Sequence, residues 1–474
     1  MSNNKRLICL AMGPLLFALC ILLLPSSVFE TVAARAAVGT VAWMAFWWVT
    51  GPVDYAVTAF LPIALNAVVQ MTDMSSVIAN YASETILLLL GASILTVSWE
   101  ETGLDRRIAA KFLGLVGGSF RKQLVFWMLL SAALSSILPN AVVCATVTPI
   151  AVSMLKFVGE GDIANSKMGS KLLLYIAYGA GVGGMATPLG GAMNLVTVDY
   201  IQQLTGTEYM YVDWVVRFLP LTALVLAITT VFMLWGVKNE ASLGGTKEFF
   251  AQEYAKLPKM KREEAVCLVL FGIATALAFT RQLYAAYLPG LKPAYVFIIA
   301  GILTFLVTRH EDNSRLMLWK SVEGKIVWEL IYIFAGGLAA GTLINGSGAA
   351  AAIGTAVSHM GLTGGLMTIF VIITLTLLMS DITSNTATAA VAMPIVISIV
   401  TGIGENPIPY IYAASVGVNL SYMLPTSIRA IPVGYGLQPR YMLKEGWKIS
   451  IAIIVLLRLA CWALMTYWPA FSTA

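Results

Sequence analysis

Long apolar segments of about 20 residues recur along the whole chain, which is the length that crosses a bilayer as a helix. An α-helix rises about 1.5 Å per residue, and the hydrocarbon layer is roughly 30 Å thick. The pattern therefore predicts eleven membrane-spanning helices. They are expected at 7–24, 32–50, 54–70, 84–104, 171–200, 213–236, 264–281, 293–308, 326–347, 409–436 and 449–468.

Two other apolar stretches, 122–157 and 362–403, are too long for one crossing and are interrupted near the middle by polar residues with glycine or proline. This pattern predicts two re-entrant hairpins. Two of the spans are also interrupted, by GVGGMATPLGGAMN at 181–194 and by NLSYMLPTSIRAIPVG at 419–434. Unwound backbone at membrane depth cannot face lipid, so its N–H and C=O groups must line a cavity or meet a ligand.

The composition supports a membrane protein. Hydrophobic residues make up 59% of the chain and charged residues 11%, too few to cover a surface that faces water. We therefore expect an all-α polytopic membrane protein. The first apolar run, 7–24, leads directly into another span and lacks a small-residue cleavage site, so it is interpreted as a first helix and not as a signal peptide.

The positive charges predict the orientation, because Lys and Arg in short loops tend to stay in the cytoplasm. With the N-terminus inside, 23 of the 29 basic residues fall on the cytoplasmic side. The four that fall outside are Arg35, Arg217, Arg281 and Lys292. Arg429 and Arg458 are left at membrane depth. The net charge of +5 is thus explained by orientation, and it gives no reason to expect nucleic-acid binding.

Residues for enzymatic or metal chemistry are scarce. The five cysteines all lie in apolar segments without paired spacing, and the two histidines, His310 and His359, provide no metal ligand set. HExxH, GxSxG and a phosphate-binding loop are all missing from the sequence. We therefore expect neither an enzyme nor an ATP-driven pump, and no cofactor.

An internal repeat relates the two halves of the chain. PNAVVCATVTPIA, from Pro139, aligns with SNTATAAVAMPIV, from Ser384, at an offset of 245 positions. The same offset aligns Gly103 with Gly348. The predicted topology inverts one unit relative to the other, which allows a site between them to be reached from either face.

The hairpin tips carry the candidate chemistry. Asn140 and Asn385 are expected where a half-helix begins, since Asn, Ser and Thr favour helix starts. A helix start presents free N–H groups and a partial positive charge, which suits an anion. Two inverted tips near the midplane would suit a molecule with two carboxylates. The alternative is that these polar residues only bond neighbouring helices.

Three segments of the sequence resemble a known family. SNTATAAVAMPI, GGMATPLGG and ILTVSWEETGLDRRIA are similar to the divalent anion:sodium symporter (DASS) family of di- and tricarboxylate transporters, over most of the chain from about residue 30. The resemblance implies a homodimer in the plasma membrane. Each protomer would have a scaffold domain and a mobile transport domain with an elevator mechanism.

The expected organisation follows from these elements. Residues 1–83 are expected to form N-terminal scaffold helices, and 213–325 form further scaffold helices with a cytoplasmic linker at 238–264. The first inverted repeat, 84–212, contains its hairpin and an unwound helix at 181–195, and the second, 326–440, contains its hairpin and an unwound helix at 419–434. Residues 441–474 form a C-terminal helix.

The resemblance also implies a substrate site formed by the tips and the unwound loops. The expected residues are Asn140, Ala141, Thr187, Pro188, Gly190, Ser384, Asn385, Thr386, Pro425, Thr426, Ser427 and Arg429. Asn194 matches the terminal asparagine of the first loop. No metal residue is predicted, although family symporters bind sodium in the same region.

Two departures from the family pattern bear on sodium. The first tip reads Pro139-Asn140-Ala141 in place of Ser-Asn-Thr, which removes two hydroxyl ligands for a hard cation, although backbone carbonyls could still serve. The second loop has Ile428-Arg429-Ala430-Ile431 where the family has Thr-Pro-Pro-Asn. This arginine could pair with a substrate carboxylate, replace a bound sodium, or, in the plainest interpretation, snorkel to the interface or pair with Asp381 or Glu100.

The sequence therefore predicts an exchanger-type bacterial member of the family. It would exchange C4 and C5 dicarboxylates, namely malate, succinate, fumarate and 2-oxoglutarate, without sodium. The alternative is a sodium-coupled symporter. If the fixed charge of Arg429 replaces a mobile sodium ion, no coupling ion travels with the substrate to drive uphill uptake. The charge of the empty carrier would also be unneutralised, which would slow its return across the membrane and favour exchange.

Overall fold

The computed structural model describes residues 3–113, 119–238, 242–257, 259–358 and 363–473. Within these ranges the chain is helical, and extended pairing is limited to two isolated bridges, Ser119 with Ser242 and Thr308 with Arg315. Eight helical stretches are long and apolar enough to cross a membrane. The predicted all-α polytopic fold is confirmed, while the count of eleven spans stays a prediction.

The N-terminal helices precede the first repeat. They are α1 (Asn3–Leu23), α2 (Val32–Thr50), α3 (Tyr55–Thr58), α4 (Leu61–Val69) and α5 (Met74–Ala79). The span predicted at 54–70 is thus divided into α3 and α4. Pro62, which lacks an N–H and fits the first turn of a helix, lies at the start of α4.

The first repeat contains a hairpin and a broken helix. Its helices are α6 (Glu84–Thr102), α7 (Leu104–Leu113), α8 (Phe120–Ser135), α9 (Asn140–Phe157), α10 (Lys167–Gly183) and α11 (Ala192–Thr205). A short turn joins α8 to α9, as predicted for the first hairpin. The break between α10 and α11 holds two 3₁₀ turns, Gly184–Ala186 and Pro188–Gly190.

Six helices connect the repeats. They are α12 (Tyr211–Leu234), α13 (Thr246–Lys256), α14 (Arg262–Phe279), α15 (Arg281–Tyr284), α16 (Pro293–Thr304) and α17 (Trp319–Val322). The predicted linker 238–264 contains α13, and its residues 239–241 and 258 lie outside the described residues.

The second repeat has the same order of elements. Its helices are α18 (Trp328–Gly346), α19 (Ala349–Ser358), α20 (Leu366–Ile382), α21 (Asn385–Gly402), α22 (Pro407–Asn419) and α23 (Ala430–Gly434), and α24 (Pro439–Tyr467) follows. Residue 362, where the second hairpin was predicted to start, lies outside the described residues.

The helix bounds reproduce the offset of 245 positions. α9 and α21 begin and end at aligned residues, and α7 and α19 begin at aligned residues. Gly103 and Gly348, which follow α6 and α18, both have positive φ, 76° and 81°, a conformation that glycine adopts without steric cost. The duplication predicted from the sequence is therefore present in the helices themselves.

The two repeats are interlocked through their first long helices. α6 packs against α14 and α16, which precede the second repeat, whereas α18 packs against the N-terminal helices α2 to α5. Each repeat therefore completes its packing with helices that precede the other one.

Each hairpin packs closely on its broken helix through glycine. A Cβ on Gly179 of α10 would lie 2.3 Å from the carbonyl oxygen of Met128 in α8. In the second repeat, a Cβ on Gly417 of α22 would lie 3.1 Å from the carbonyl oxygen of Ile373 in α20, with Thr376 Oγ1 closer still. Small residues allow such close approach of membrane helices, so hairpin and broken helix form one packed unit.

We predict that Gly179→Ala lowers the apparent melting temperature of the purified protein, because the added methyl group meets backbone that cannot yield. Overpacking of this kind costs about 1–3 kcal/mol. Gly181→Ala in the same helix is the control, since its Cβ would meet only Ile428 Cδ1 at 3.6 Å. Equal melting temperatures for the two variants would contradict the close packing of α8 on α10.

Candidate substrate site

The second hairpin tip is capped by serine. α21 begins at Asn385, and the Oγ of the preceding Ser384 accepts a hydrogen bond from Ala387 N at 3.1 Å. The first tip has no such cap, because Pro139 precedes α9, which begins at Asn140. Both asparagines thus lie at half-helix starts as predicted, although each is the first helical residue and not the cap.

The Asn385 side chain is buried and fully engaged by protein. Its Oδ1 accepts hydrogen bonds from Ser380 Oγ at 2.9 Å and Ser421 Oγ at 3.2 Å. Its Nδ2 donates to Asn419 O at 3.4 Å. Asn385 therefore joins both arms of its hairpin to the second break. Thr386 beside it is buried as well.

Asn140 is in a different environment. Its side chain is partly exposed and has no hydrogen-bond partner within the described ranges. The N–H groups of Asn140, Ala141 and Val142 are likewise without a partner there, as expected for an uncapped first turn. This tip consequently presents free donors, whereas the second tip presents few.

The first break folds onto the first hairpin. Thr187 Oγ1 donates to the carbonyl oxygen of Ser136 at the end of α8, and it accepts from Gly190 N at 3.2 Å. A Cβ on Gly190 would lie 2.5 Å from Ser135 O, so only glycine fits without a shift. Pro188 is buried within the same loop. The predicted loop residues thus lie at the tip of the first hairpin.

The second break repeats this arrangement with added charge. Thr426 Oγ1, next to Pro425, donates to the carbonyl oxygen of Asp381 at 3.0 Å. Asp381 is aligned with Ser136 by the offset of 245 positions. Asp381 Oδ1 accepts from Tyr422 N at 2.8 Å and from Met423 N at 2.9 Å, which pairs two backbone groups released by the break. Its Oδ2 is buried and has no hydrogen-bond partner among the residues that the structure describes.

Arg429 lies inside the second break and is only 1% exposed. Its Nη2 donates to Thr426 Oγ1 at 3.1 Å and its Nε to Leu424 O at 3.3 Å. Snorkelling to the interface is therefore wrong. Pairing with Glu100 is also wrong, because Glu100 lies 3.8 Å from Lys325 Nζ at the surface.

Asp381 is the acidic neighbour of Arg429, but the two do not form an ion pair. Thr426 bonds to both of them, and their charges interact electrostatically. In the described part of the chain no nitrogen of Arg429 lies within 4.0 Å of a carboxylate oxygen. The guanidinium is thus held by neutral oxygens and keeps its charge uncompensated at close range.

The two breaks are joined by a pair of asparagines. Asn419 Nδ2 donates to Asn194 Oδ1 at 2.8 Å, and Asn194 Nδ2 donates to Gly184 O at 2.7 Å and Thr187 O at 2.8 Å. Tyr178 OH also donates to Tyr422 O at 2.6 Å. The tips themselves share no hydrogen bond within the described residues, so the breaks connect them.

A cavity of about 810 Å³ lies along α9. Of the twelve predicted site residues only Ala141 lines it, and the side chain of one other, Ser427, lies outside the described part of the chain. Its charged lining residues are Glu100, Asp105 and Lys325. A hydrogen bond to Glu101 raises the pKa of Lys325, and Glu100 lies 3.8 Å from its Nζ, so this positive charge is paired with carboxylates of the protein. The first tip is thus open to a cavity, while the second tip is enclosed.

The sequence analysis missed the serines that hold the breaks. Ser135 Oγ donates to Ala180 O at 2.7 Å, and Ser380 Oγ donates to Val418 O at 2.6 Å. Ser135 and Ser380 are 245 positions apart, but their acceptors are 238 apart. The offset between the two repeats thus changes from 245 to 238 positions after the hairpins. An alignment at the single offset of 245 does not match the two acceptor residues.

These features define a class of protein. Paired hairpins, two broken helices whose breaks meet, and an anion-suited helix start at a cavity are typical of a secondary transporter with internal repeats. A family model described as citrate transporter matches residues 45–417. The chain belongs to this family, which confirms the resemblance to di- and tricarboxylate transporters. Transport and not enzymatic activity is accordingly its function.

Relatives in this family cover nearly the whole chain. The sodium-dependent dicarboxylate transporter SdcS of Staphylococcus saprophyticus is 28% identical over 98% of this chain and 92% of its own length. The protein of the same name from Staphylococcus aureus is 27% identical over 96% and 91%.

Two solved structures have a similar fold. The YdaH transporter of Alcanivorax borkumensis superposes with a TM-score of 0.54 at 14% identity, covering 83% of this chain and 88% of that protein. MtrF of Neisseria gonorrhoeae has a TM-score of 0.51 at 14% identity, with 82% and 83% covered. At this identity the similarity concerns the fold alone.

We predict that Asp381→Ala lowers the apparent melting temperature more than Asp381→Asn. An asparagine oxygen can still accept from Tyr422 N and Met423 N, whereas alanine leaves both buried N–H groups unpaired, at about 1–3 kcal/mol each. Thermal unfolding of the two purified variants measures the difference. If Asn is as destabilising as Ala, the negative charge and not the hydrogen bonds holds the second break.

Proposed function

We propose that the protein exchanges C4 and C5 dicarboxylates, namely malate, succinate, fumarate and 2-oxoglutarate, across the plasma membrane without requiring sodium. The relatives named as dicarboxylate transporters support the substrate class. The fixed guanidinium of Arg429 in the second break is the single observation that supports exchange without sodium.

The bonds of Arg429 explain why it would replace sodium. Sodium at an unwound helix needs carbonyl and hydroxyl oxygens as ligands. Leu424 O and Thr426 Oγ1, two such oxygens of the second break, already accept hydrogen bonds from Arg429. A permanent cation bonded to these oxygens supplies the positive charge that a bound ion would otherwise bring.

The first tip is the proposed contact for a substrate carboxylate. Free N–H groups of its first turn and the unpaired amide of Asn140 are hydrogen-bond donors next to a cavity. Pro139 and Ala141 lack the hydroxyl oxygens of the family tip, so this end is better suited to an anion than to a hard cation. The predicted residues of the breaks and the second tip would complete the site when the enclosed side opens.

Exchange follows from the fixed charge. No coupling ion would accompany the dicarboxylate, so uphill uptake would need a second dicarboxylate moving outward. The empty carrier would return slowly, because a buried charge without a partner is expensive to move through a medium of low dielectric constant. We further propose a cytoplasmic N-terminus, a homodimer, and elevator movement of the hairpins with their broken helices.

Sodium-coupled symport is the second candidate, and specific observations favour it. The relatives at 27–28% identity are named as sodium-dependent. The unpartnered Asp381 Oδ2 is also a buried oxygen in the second repeat, whose hairpin carries the intact Ser384-Asn385-Thr386 tip. A sodium ion needs such oxygen ligands.

Uptake into proteoliposomes separates the two candidates. We expect labelled succinate to enter vesicles loaded with unlabelled malate equally well in sodium and in choline media. Its uptake into empty vesicles should be at least about tenfold slower, because the empty carrier must return with an uncompensated charge. Vesicles loaded with citrate in place of malate test whether the protein also exchanges tricarboxylates. Uptake into empty vesicles that depends on a sodium gradient would instead establish symport.

We predict that Arg429→Gln lowers the exchange rate by about ten- to a hundredfold, since a hydrogen bond from a charged group contributes about 1.5–3 kcal/mol. Arg458→Gln in α24 is the matched control, because that guanidinium lies over the ring of Phe370, 5.1 Å from its centroid, and away from both breaks. The measurement is succinate–malate exchange by equal amounts of each variant. Equal losses in both variants would exclude a specific role for Arg429.

A further inference from the structure

A second cavity, of about 390 Å³, lies between the start of α10 and the start of α24. We call it the α10–α24 cavity. Three basic side chains line it, Lys167 from α10 and Arg440 and Lys444 from α24, and no acidic side chain does. The charge distribution of the sequence predicts that this end of both helices faces the cytoplasm.

These three cations are not neutralised by protein. In the described part of the chain, Lys167, Arg440 and Lys444 have no carboxylate oxygen within 4.0 Å. Arg440 Nε donates only to the amide oxygen of Gln438, at 2.6 Å. An anion in the cavity would therefore meet three charges that are free to bind it.

Two acids lie beside the cavity and accept hydrogen bonds from residues that line it. Glu160 accepts a hydrogen bond from the hydroxyl of Ser166, and Asp162 accepts one from the amide of Asn165 at 2.9 Å. Glu445 of α24 interacts electrostatically with Lys171. The hydrogen bonds to Glu160 and Asp162 do not remove their negative charges, but the lining of the cavity itself contains three cations and no acid.

Neutral donors and a backbone contact complete the cavity wall. Gln438 Nε2 donates to Ala164 O at 3.2 Å, which ties the loop before α10 to the start of α24. Ser170 and Tyr441 also line the cavity, and the Ser170 hydroxyl already donates to Ile163 O at 2.7 Å. The Tyr441 hydroxyl can donate to a phosphate oxygen, while the cations supply the attraction.

An apolar stripe adjoins the cations on α24. Leu443, Trp447 and Ile451 follow one another at intervals of four residues and are 48%, 46% and 54% exposed. They share one helix face, which in a bilayer contacts acyl chains. α24 has 29 residues and is about 43 Å long, more than the roughly 30 Å of hydrocarbon, so its first turns lie at the headgroup level.

We propose that the α10–α24 cavity binds the phosphate of an anionic phospholipid headgroup. The three cations and the Tyr441 hydroxyl recognise the phosphate, and the adjoining stripe of α24 receives the acyl chains. Clusters of Lys and Arg at the cytoplasmic end of membrane helices attract such lipids. Free phosphate shares the headgroup chemistry but would leave the apolar stripe unused.

The test uses the full-length protein in phosphatidylcholine nanodiscs, with bound lipid counted by native mass spectrometry and stability measured by thermal unfolding. The probes are phosphatidylglycerol, phosphatidylcholine and inorganic phosphate. We expect phosphatidylglycerol to be retained and to raise the melting temperature at a concentration at least about tenfold below that of phosphatidylcholine, because only its headgroup is anionic. Inorganic phosphate should not protect.

The triple variant Lys167→Gln, Arg440→Gln and Lys444→Gln should weaken this binding by about a hundredfold, at about fivefold per cation. The matched control replaces Lys247, Lys259 and Lys320 with Gln, which removes the same charge from exposed positions outside the cavity. We expect the control to bind like the unchanged protein. If the triple variant does not fold, Lys444→Gln alone should weaken binding by about fivefold.

Three results would overturn the proposal. The first is equal loss of phosphatidylglycerol binding in the triple variant and its control, which would indicate general surface charge. The second is equal retention of phosphatidylcholine. The third is protection by inorganic phosphate without protection by phosphatidylglycerol, which would identify a soluble anion as the occupant.

Discussion

Backbone groups released inside a membrane must find partners within the protein, and this constraint shapes both repeats. The hairpins supply those partners. Ser135 and Ser380 bond carbonyls at the ends of α10 and α22, and Asp381 accepts two N–H groups of the second break. A broken helix without its hairpin would expose unpaired groups to lipid. Hairpin and break are therefore stable only together, which makes the pair and not the single helix the unit of structure.

Much of this fold could be predicted from the sequence, because helix ends depend on local chemistry. Glycine with positive φ ends α6 and α18, and an extended residue precedes Asn140 and Asn385. The register beyond the hairpins could not be predicted. The contacts of α10 and α22 are related by 238 positions, because the connection after the second hairpin is shorter. A serine in an apolar helix commonly bonds its own helix, so only the folded chain identifies the role of Ser135 and Ser380.

The candidate site was predictable in its elements but not in its asymmetry. The sequence places a charge, Arg429, in the second break, yet its two bonds to neutral oxygens depend on how residues 424–429 turn. The sequence shows that the first tip lacks the hydroxyl residues of the second, but it does not show how differently the two asparagines are surrounded. In the structure Asn385 is enclosed by serines and Asn419, while Asn140 has free donors beside a cavity. The two tips thus differ in their surroundings, with the first beside a cavity and the second buried.

The glycine contact between α8 and α10 has a mechanical consequence. At Gly179 and Gly183 no side chain separates the two backbones, and any rotation that turned a larger group toward Met128 or Ala132 would produce a collision. Independent rotation or sliding of α8 and α10 would meet steric resistance at these two positions. The close contact thus favours movement of the two helices as one body.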